Sequence, residues 1–368
     1  MTHTAARRTA RDLAAVLIAA AVLAGCEQEG PLPAKTPTVA VAAVAETAPV
    51  PNADDAADDP AIWVDAADPA RSVIIGTNKK GGLEIYDLTG ARLSVRADGR
   101  INNVDIRQDV AFGDRRLDIV AATNRTDKTI ALYRFDGATR ELRPLAPAIP
   151  SGLADPYGLC LYRSAADGAL YVFANDGEGP GGMAQWRIAV DAADAVTAAE
   201  VRRFTVGSQA EGCVADDAAG VLFVGEEDVG VWRYGAEPAA GDARTAVDTT
   251  GPQGNLVADV EGMSIFDDRQ SGGEGGGGYL IVSSQGSYSY NVYDRRAPHA
   301  FRGAFAIIDG AVDGVQETDG LDVSSAVLPA PFEAGLLVVQ DGDNTNPAAN
   351  QNFKLVPWAA VKAALKLE

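Results

Sequence analysis

Four segments of the chain open alike, on a polar residue, a glycine and an apolar run: Tyr157-Gly158-Leu159-Cys160-Leu161, Glu211-Gly212-Cys213-Val214-Ala215, Glu261-Gly262-Met263-Ser264-Ile265 and Asp319-Gly320-Leu321-Asp322-Val323. Asp59-Pro60-Ala61-Ile62-Trp63 and Asn102-Asn103-Val104-Asp105-Ile106 are looser copies. A second apolar run follows each copy and ends on a polar residue, at Lys79, Arg125, Asp176, Glu227, Gln285 and Asp341. Carboxylates dominate both sets, and carboxylates without imidazoles favour a hard cation over zinc. Oxygen ligands spread over many loops suit calcium, which tolerates irregular geometry, better than magnesium. Lys79 and Arg125 stand at matching places in adjacent copies, where two cations beside bound metal would hold an oxyanion such as phosphate. An acid before glycine is also common turn chemistry, so no single one carries weight alone. Turn chemistry does not account for the two matched cations.

The wider inventory narrows the reading. With 31 Lys+Arg against 51 Asp+Glu the formal charge is −20, and the two histidines are His3 and His299. Nucleic-acid binding, which needs a clustered basic surface, is excluded. So are histidine-rich metal sites and phosphohistidine chemistry that needs a second catalytic histidine. Ser283-Ser284 lacks a base with the companions a nucleophile requires.

These residues must be positioned by strands. Thirty-nine glycines and 19 prolines, with many short β-branched or aromatic runs, predict an all-β chain. A third run in most copies closes on an aromatic residue, at Tyr86, Tyr133, Trp186, Trp232 and Tyr293. The six copies recur every 43 to 58 residues, the size of a propeller blade. The expected fold is a six-bladed β-propeller, with a strand Thr38–Ala45 completing the last blade. Because the first two strands of a blade run antiparallel, strand starts and second-strand ends share one rim. Trp63, Trp186, Trp232 and Trp358 are read as blade packing, His299 as an exposed hairpin residue, and Ala359–Leu367 as a short outer helix. A Gly-rich insertion, Ser271 to Gly278, reads as a hairpin tip.

The first 25 residues read as a leader: Arg7, Arg8 and Arg11 precede the apolar stretch Leu13–Leu23, and Leu23-Ala24-Gly25-Cys26 resembles a bacterial lipobox. Cleavage before Cys26 and acylation of its thiol would leave a lipid-anchored chain, with residues 26–37 as tether and 38–368 as the propeller domain. Its net charge would be −22, since three arginines and Asp12 leave with the leader. Glu27 favours the outer membrane of a Gram-negative cell. Cys160 and Cys213 fall one residue out of phase on neighbouring strands, pointing to opposite faces, so two buried free thiols are expected.

At these residues the chain resembles the β-propeller phytases, the calcium-dependent alkaline phytases of bacteria. The resemblance rests on Asp58-Asp59-Pro60-Ala61-Ile62-Trp63, Thr77-Asn78-Lys79-Lys80, Asn102-Asn103-Val104-Asp105-Ile106-Arg107, Glu226-Glu227-Asp228, Asp259-Val260-Glu261-Gly262, Ser283-Ser284-Gln285-Gly286, Glu317-Thr318-Asp319-Gly320 and Asn350-Gln351-Asn352-Phe353-Lys354-Leu355-Val356-Pro357-Trp358, in family order. It implies several calcium ions and hydrolysis of phytate, myo-inositol hexakisphosphate, as its calcium complex. By resemblance Lys79, Arg125 and Tyr157 hold phosphate, and Glu211, Glu227, Glu261, Asp313 and Asp59 ligate calcium around the scissile group. Asp58, Asp259, Gln285, Asp319 and Asn344 take further calcium or supporting positions. A metal-activated water attacks, without a covalent phosphoenzyme.

One departure lies in the third copy, where the family usually places a Lys-Glu pair after the second strand. This chain reads Asn175-Asp176-Gly177-Glu178-Gly179-Pro180, without the lysine, leaving Asp176 or Glu178 as the acidic partner. The competing readings are a calcium-dependent lactonase-type propeller hydrolase and a non-catalytic surface-binding propeller. A monomer is expected.

Overall fold

The structure, a computed structural model, describes residues 30–268 and 277–368. The leader, Cys26 and most of the Gly-rich insertion lie outside the described residues. The described residues form six small sheets, antiparallel but for one added parallel strand, whose innermost strands touch in sequence and close from the sixth back to the first, a six-bladed β-propeller. Those inner strands are Ala57–Trp63, Ile101–Phe112, Pro156–Arg163, Ala210–Asp216, Val260–Asp268 and Leu321–Ser324. Apolar residues collect into six clusters, one at each interface between consecutive blades. Trp63, Trp186 and Trp358 are buried in them, while Trp232 is partly buried beneath Arg244.

The centre is polar, and its side chains link neighbouring blades at four of the six junctions. Asp59 accepts from the Val104 N–H at 3.1 Å, Asp105 from Leu161 at 2.8 Å, Ser264 from Val323 at 3.2 Å, and Asp322 from Ile62 at 2.8 Å. Such buried acceptors tie inner strands that share no ladder.

The recurring strand opening has a structural cause. In five blades the pairing of first and second strands skips two residues, between Ala57/Pro60, Ile101/Val104, Pro156/Leu159, Ala210/Cys213 and Val260/Met263. A bulge re-aims the skipped side chain. The first skipped residue is Asp58, Asn102, Tyr157, Glu211 or Glu261. The second is glycine in three blades because inner strands approach closely: a Cβ on Gly158 would overlap the Glu211 carbonyl, and one on Gly212 the Glu261 carbonyl. The blade-1 copy therefore aligns on Asp58-Asp59, not on Asp59-Pro60. Proline at the third place mimicked the glycine.

Two expectations about connections are corrected. The predicted strand Thr38–Ala45 divides: Thr38–Ala42 adds a fifth, parallel strand to blade 5 against Phe301–Ile308, and only Ala45–Glu46 completes blade 6 against Asn352–Pro357. Val39, Val41 and Ala43 thereby reach the apolar seam between blades 5 and 6, which the helix Trp358–Leu365 also covers. Cys160 and Cys213 form a disulfide, with Cα atoms 5.7 Å apart. Alternation along strands sets opposite faces apart only within one sheet. The two strands belong to stacked blades, so opposite-facing side chains meet across the seam, and both cysteines lie in the cluster between blades 3 and 4. Closing the loop between them, with a sequence separation of 53, stabilises the fold by roughly 4 kcal/mol.

His299 is also corrected. It is 8% exposed, with its ring edge-on to Phe223 and Nδ1 3.1 Å from the Asp294 carbonyl. Its φ of 59° is left-handed, and its ring meets Phe223 of the preceding blade.

Candidate active site

The bulges aim Asp58, Asn102, Tyr157, Glu211 and Glu261 at one mouth of the channel, and Asp319 joins them from blade 6. Lys79, Arg125, Glu227 and Gln285 arrive from the ends of second strands. One oxygen each from Glu211, Glu227 and Glu261 lie within 4.8 Å of one another, a group able to hold a metal ion. Both oxygens of Asp58, Oε1 of Glu227 and Oε2 of Glu261 are buried without a hydrogen-bond partner. Buried, unpartnered carboxylate oxygens are costly unless a cation sits among them. The donor set is all oxygen, which suits a hard divalent ion.

The electrostatics agree. Burial, then Asp319, pushes Glu211 up to about 7, and burial, then Glu211, pushes Glu227 up to about 7. Burial and Glu211 likewise raise Asp58 and Glu261, and burial raises Asp319. Asp259 is raised by burial and Asp228. Lys79 lies 2.8 Å from Asp319, 2.5 Å from Asp55 and 3.6 Å from Asp58. Burial works against its charge, but the field of Asp58, Asp319 and Glu211 overrides that and holds the ammonium protonated. Gln285 steadies Asp319 through a 2.5 Å bond. Tyr157 is raised by burial and Glu211, so its hydroxyl stays a donor.

A polar chain runs from the metal-type carboxylates to the second cation. Glu211 accepts from Asn102 Nδ2 at 2.5 Å, and Asn102 Oδ1 accepts from Arg125 Nη1 at 3.0 Å. Arg125 lies over the Tyr157 ring, 5.3 Å from its centroid, and pairs with Asp155.

Carboxylates raised in the folded state make metal-free stability fall with pH. The folded protein then binds more protons than the unfolded chain above the ordinary carboxylate range, so stabilisation is complete below about pH 4.5 and is lost as pH rises through about 7. Metal-free protein is expected to melt lower at pH 8 than at pH 5.5. Saturating calcium should reverse that order, because protons compete for the same oxygens; thermal melts in both conditions check it.

Several expected site residues fall elsewhere. Asp59 does not face the Glu211 group: its carboxylate turns to the Val104 N–H, a consequence of the one-residue shift in blade 1. Asp313 belongs to a separate cluster in blade 6, ion-paired with the fully buried Lys354, which also pairs with Glu46 and Asp341. Thr345 donates to Asp313 from its N–H at 2.6 Å. Asn344 is nearby, with Nδ2 on the Asn350 carbonyl at 3.0 Å. Asp341 is thus taken from the rim by a lysine whose pairing the repeat does not encode. Asp176 accepts backbone N–H groups of Ala154, Asp155 and Glu178, and Glu178 is exposed in the loop. Asp155 and Asp55 were missed because each precedes its strand opening and so lies outside the repeat.

A family model described as Phytase matches residues 9–368. The 3-phytase of Bacillus subtilis (strain 168) is 40% identical over 330 residues, covering 87% of this chain and 84% of that protein. Among solved structures, Chaetomium thermophilum Sqt1 bound to the N-terminus of ribosomal protein L10 superimposes with a TM-score of 0.45 at 13% identity, covering 82% of this chain and 86% of that one. BBS1N in complex with ARL6DN gives 0.42 at 12% identity, covering 77% and 75%. Likenesses at that level carry no argument about the site. The family model spans nearly the whole chain, and the bulged strand openings fall inside the region it matches; the chain belongs to the Phytase family.

Proposed function

We propose that the chain hydrolyses phosphomonoesters of phytate, taken as its calcium complex, with calcium held by Asp58, Glu211, Glu227, Asp259, Glu261 and Asp319. The observation that carries this reading is the convergence of buried carboxylate oxygens that lack hydrogen-bond partners, with Lys79 beside them and Arg125 linked to Glu211 through Asn102. The 40% identity to a 3-phytase supports the substrate. Bound calcium would neutralise phosphoryl oxygens and lower the pKa of a water, which supplies a nucleophile without imidazole.

The protein's own groups do the rest. Lys79 and Arg125 bind phosphoryl oxygens and stabilise charge that develops on them. Tyr157 donates its hydroxyl and forms the floor beneath Arg125. Ser283 and Ser284 each donate to a backbone carbonyl at 2.9 Å, so neither is placed to take the phosphoryl group. Phosphate release from phytate, with none of the activity on lactones and no phosphoenzyme after rapid acid quench, is the expected outcome; lactone turnover or a trapped phosphoenzyme would sink the reading.

The leader supports export: residues 1–25 act as a signal peptide, Cys26 is acylated, and the tether anchors a monomeric domain at the outer membrane. Metabolic labelling with a fatty acid should mark the chain and be lost in Cys26→Ser.

A further inference from the structure

Arg125 reaches the mouth from the end of the second strand of blade 2, and its guanidinium is held on three sides. Asp155 accepts from Nε at 2.9 Å and from Nη2, while Asn102 accepts from Nη1 at 3.0 Å. A guanidinium has five N–H donors. Three are engaged, which leaves one on each Nη, a fork for two oxygens of one phosphoryl group.

Asp155 is itself fixed, by the loop that departs from the family pattern. Asp176 accepts from the backbone N–H of Ala154 at 2.8 Å and of Asp155 at 2.9 Å, and the Gly177 N–H donates to the Asp155 carbonyl at 3.0 Å. With both oxygens on backbone N–H groups, Asp176 organises the turn that presents Asp155.

We propose that Asp155 is a positioning residue for phosphate recognition: it fixes the two-pronged fork of Arg125, and Asp176 fixes Asp155. Blade 3 then contributes to substrate binding through Arg125 of blade 2, by a route that does not need the missing lysine. The inference rests on Arg125 as a phosphate-holding residue and deepens that reading.

The test is a double-mutant cycle on the calcium-loaded enzyme, with kcat and KM measured separately for phytate. Asp155→Ala is expected to lower kcat/KM by about 10- to 100-fold, the range for partners that orient a site residue, with the larger part in KM. Asp155→Asn, which keeps one acceptor, should recover part of the loss. In an Arg125→Ala background, Asp155→Ala should change kcat/KM by less than about twofold, because coupled residues do not add. Melting temperatures recorded in parallel separate loss of fold from loss of orientation, and Asp155→Asn carries the same cycle if the alanine variant does not fold. Fully additive losses overturn the proposal. An Arg125→Ala enzyme as active as its parent overturns the underlying reading of Arg125, so the two failures are distinguishable.

Discussion

Glu211→Gln is expected to lower kcat for phosphate release by about 100- to 1,000-fold, the cost of removing one preorganised electrostatic partner. Glu211 occupies the junction of the site: it shares the metal-type group with Glu227 and Glu261, and its Oε1 takes the Asn102 amide that leads to Arg125. The change is nearly isosteric and removes one of several mutually repelling carboxylates. Without metal, therefore, Glu211→Gln should melt higher than the parent, since Asp58, Glu227 and Glu261 are each raised partly by Glu211. With calcium it should gain less stability than the parent. A variant that keeps parental kcat and the full calcium-induced rise in melting temperature would contradict the role assigned to Glu211.

Lys79→Ala is expected to cost about 100-fold or more in kcat/KM, again by loss of a group that meets developing charge. Its signature differs from that of Glu211→Gln. Lys79 is the cation lodged among Asp58, Asp319 and Asp55, so its removal takes away a competitor for those oxygens. Calcium affinity, measured by calorimetry, should hold or tighten while turnover collapses. In the metal-free protein the same change should destabilise by about 3 kcal/mol, because a buried carboxylate such as Asp58 loses its countercharge. Turnover lost together with calcium binding would reassign Lys79 to a structural role.

The periodic part of this architecture was legible in the chain, because close inner strands demand glycine at one place and the bulge exposes the residue before it. Glu211-Gly212 and Glu261-Gly262 carry both marks. Blade 1 was read one residue late, since Pro60 stood near the expected glycine and two acids preceded it. The disulfide was misjudged for a geometric reason: alternation along a strand says which face a thiol takes, but stacked blades present opposite faces to each other. Asp155 was invisible to the repeat, for its role depends on proximity to Arg125, 30 residues earlier. Asp313 was assigned by resemblance, and Lys354 captures it in the fold.

The acidity of the chain acquires a narrower meaning at this site. A formal charge of −20 should repel a polyanion such as phytate at long range. Cations bound at the mouth would invert the local field while the remaining surface stays acidic. Charge at the rim, not charge of the whole protein, then decides recognition.

In the proposed function these carboxylates hold the calcium on which phosphate release depends. The most direct measurement is phosphate release from phytate by protein stripped with EDTA, then titrated with calcium and, in parallel, with magnesium. Negligible release after stripping, recovery as calcium fills the Glu211–Glu227–Glu261 group, and poorer recovery with magnesium are predicted. Undiminished release by the stripped protein would contradict it.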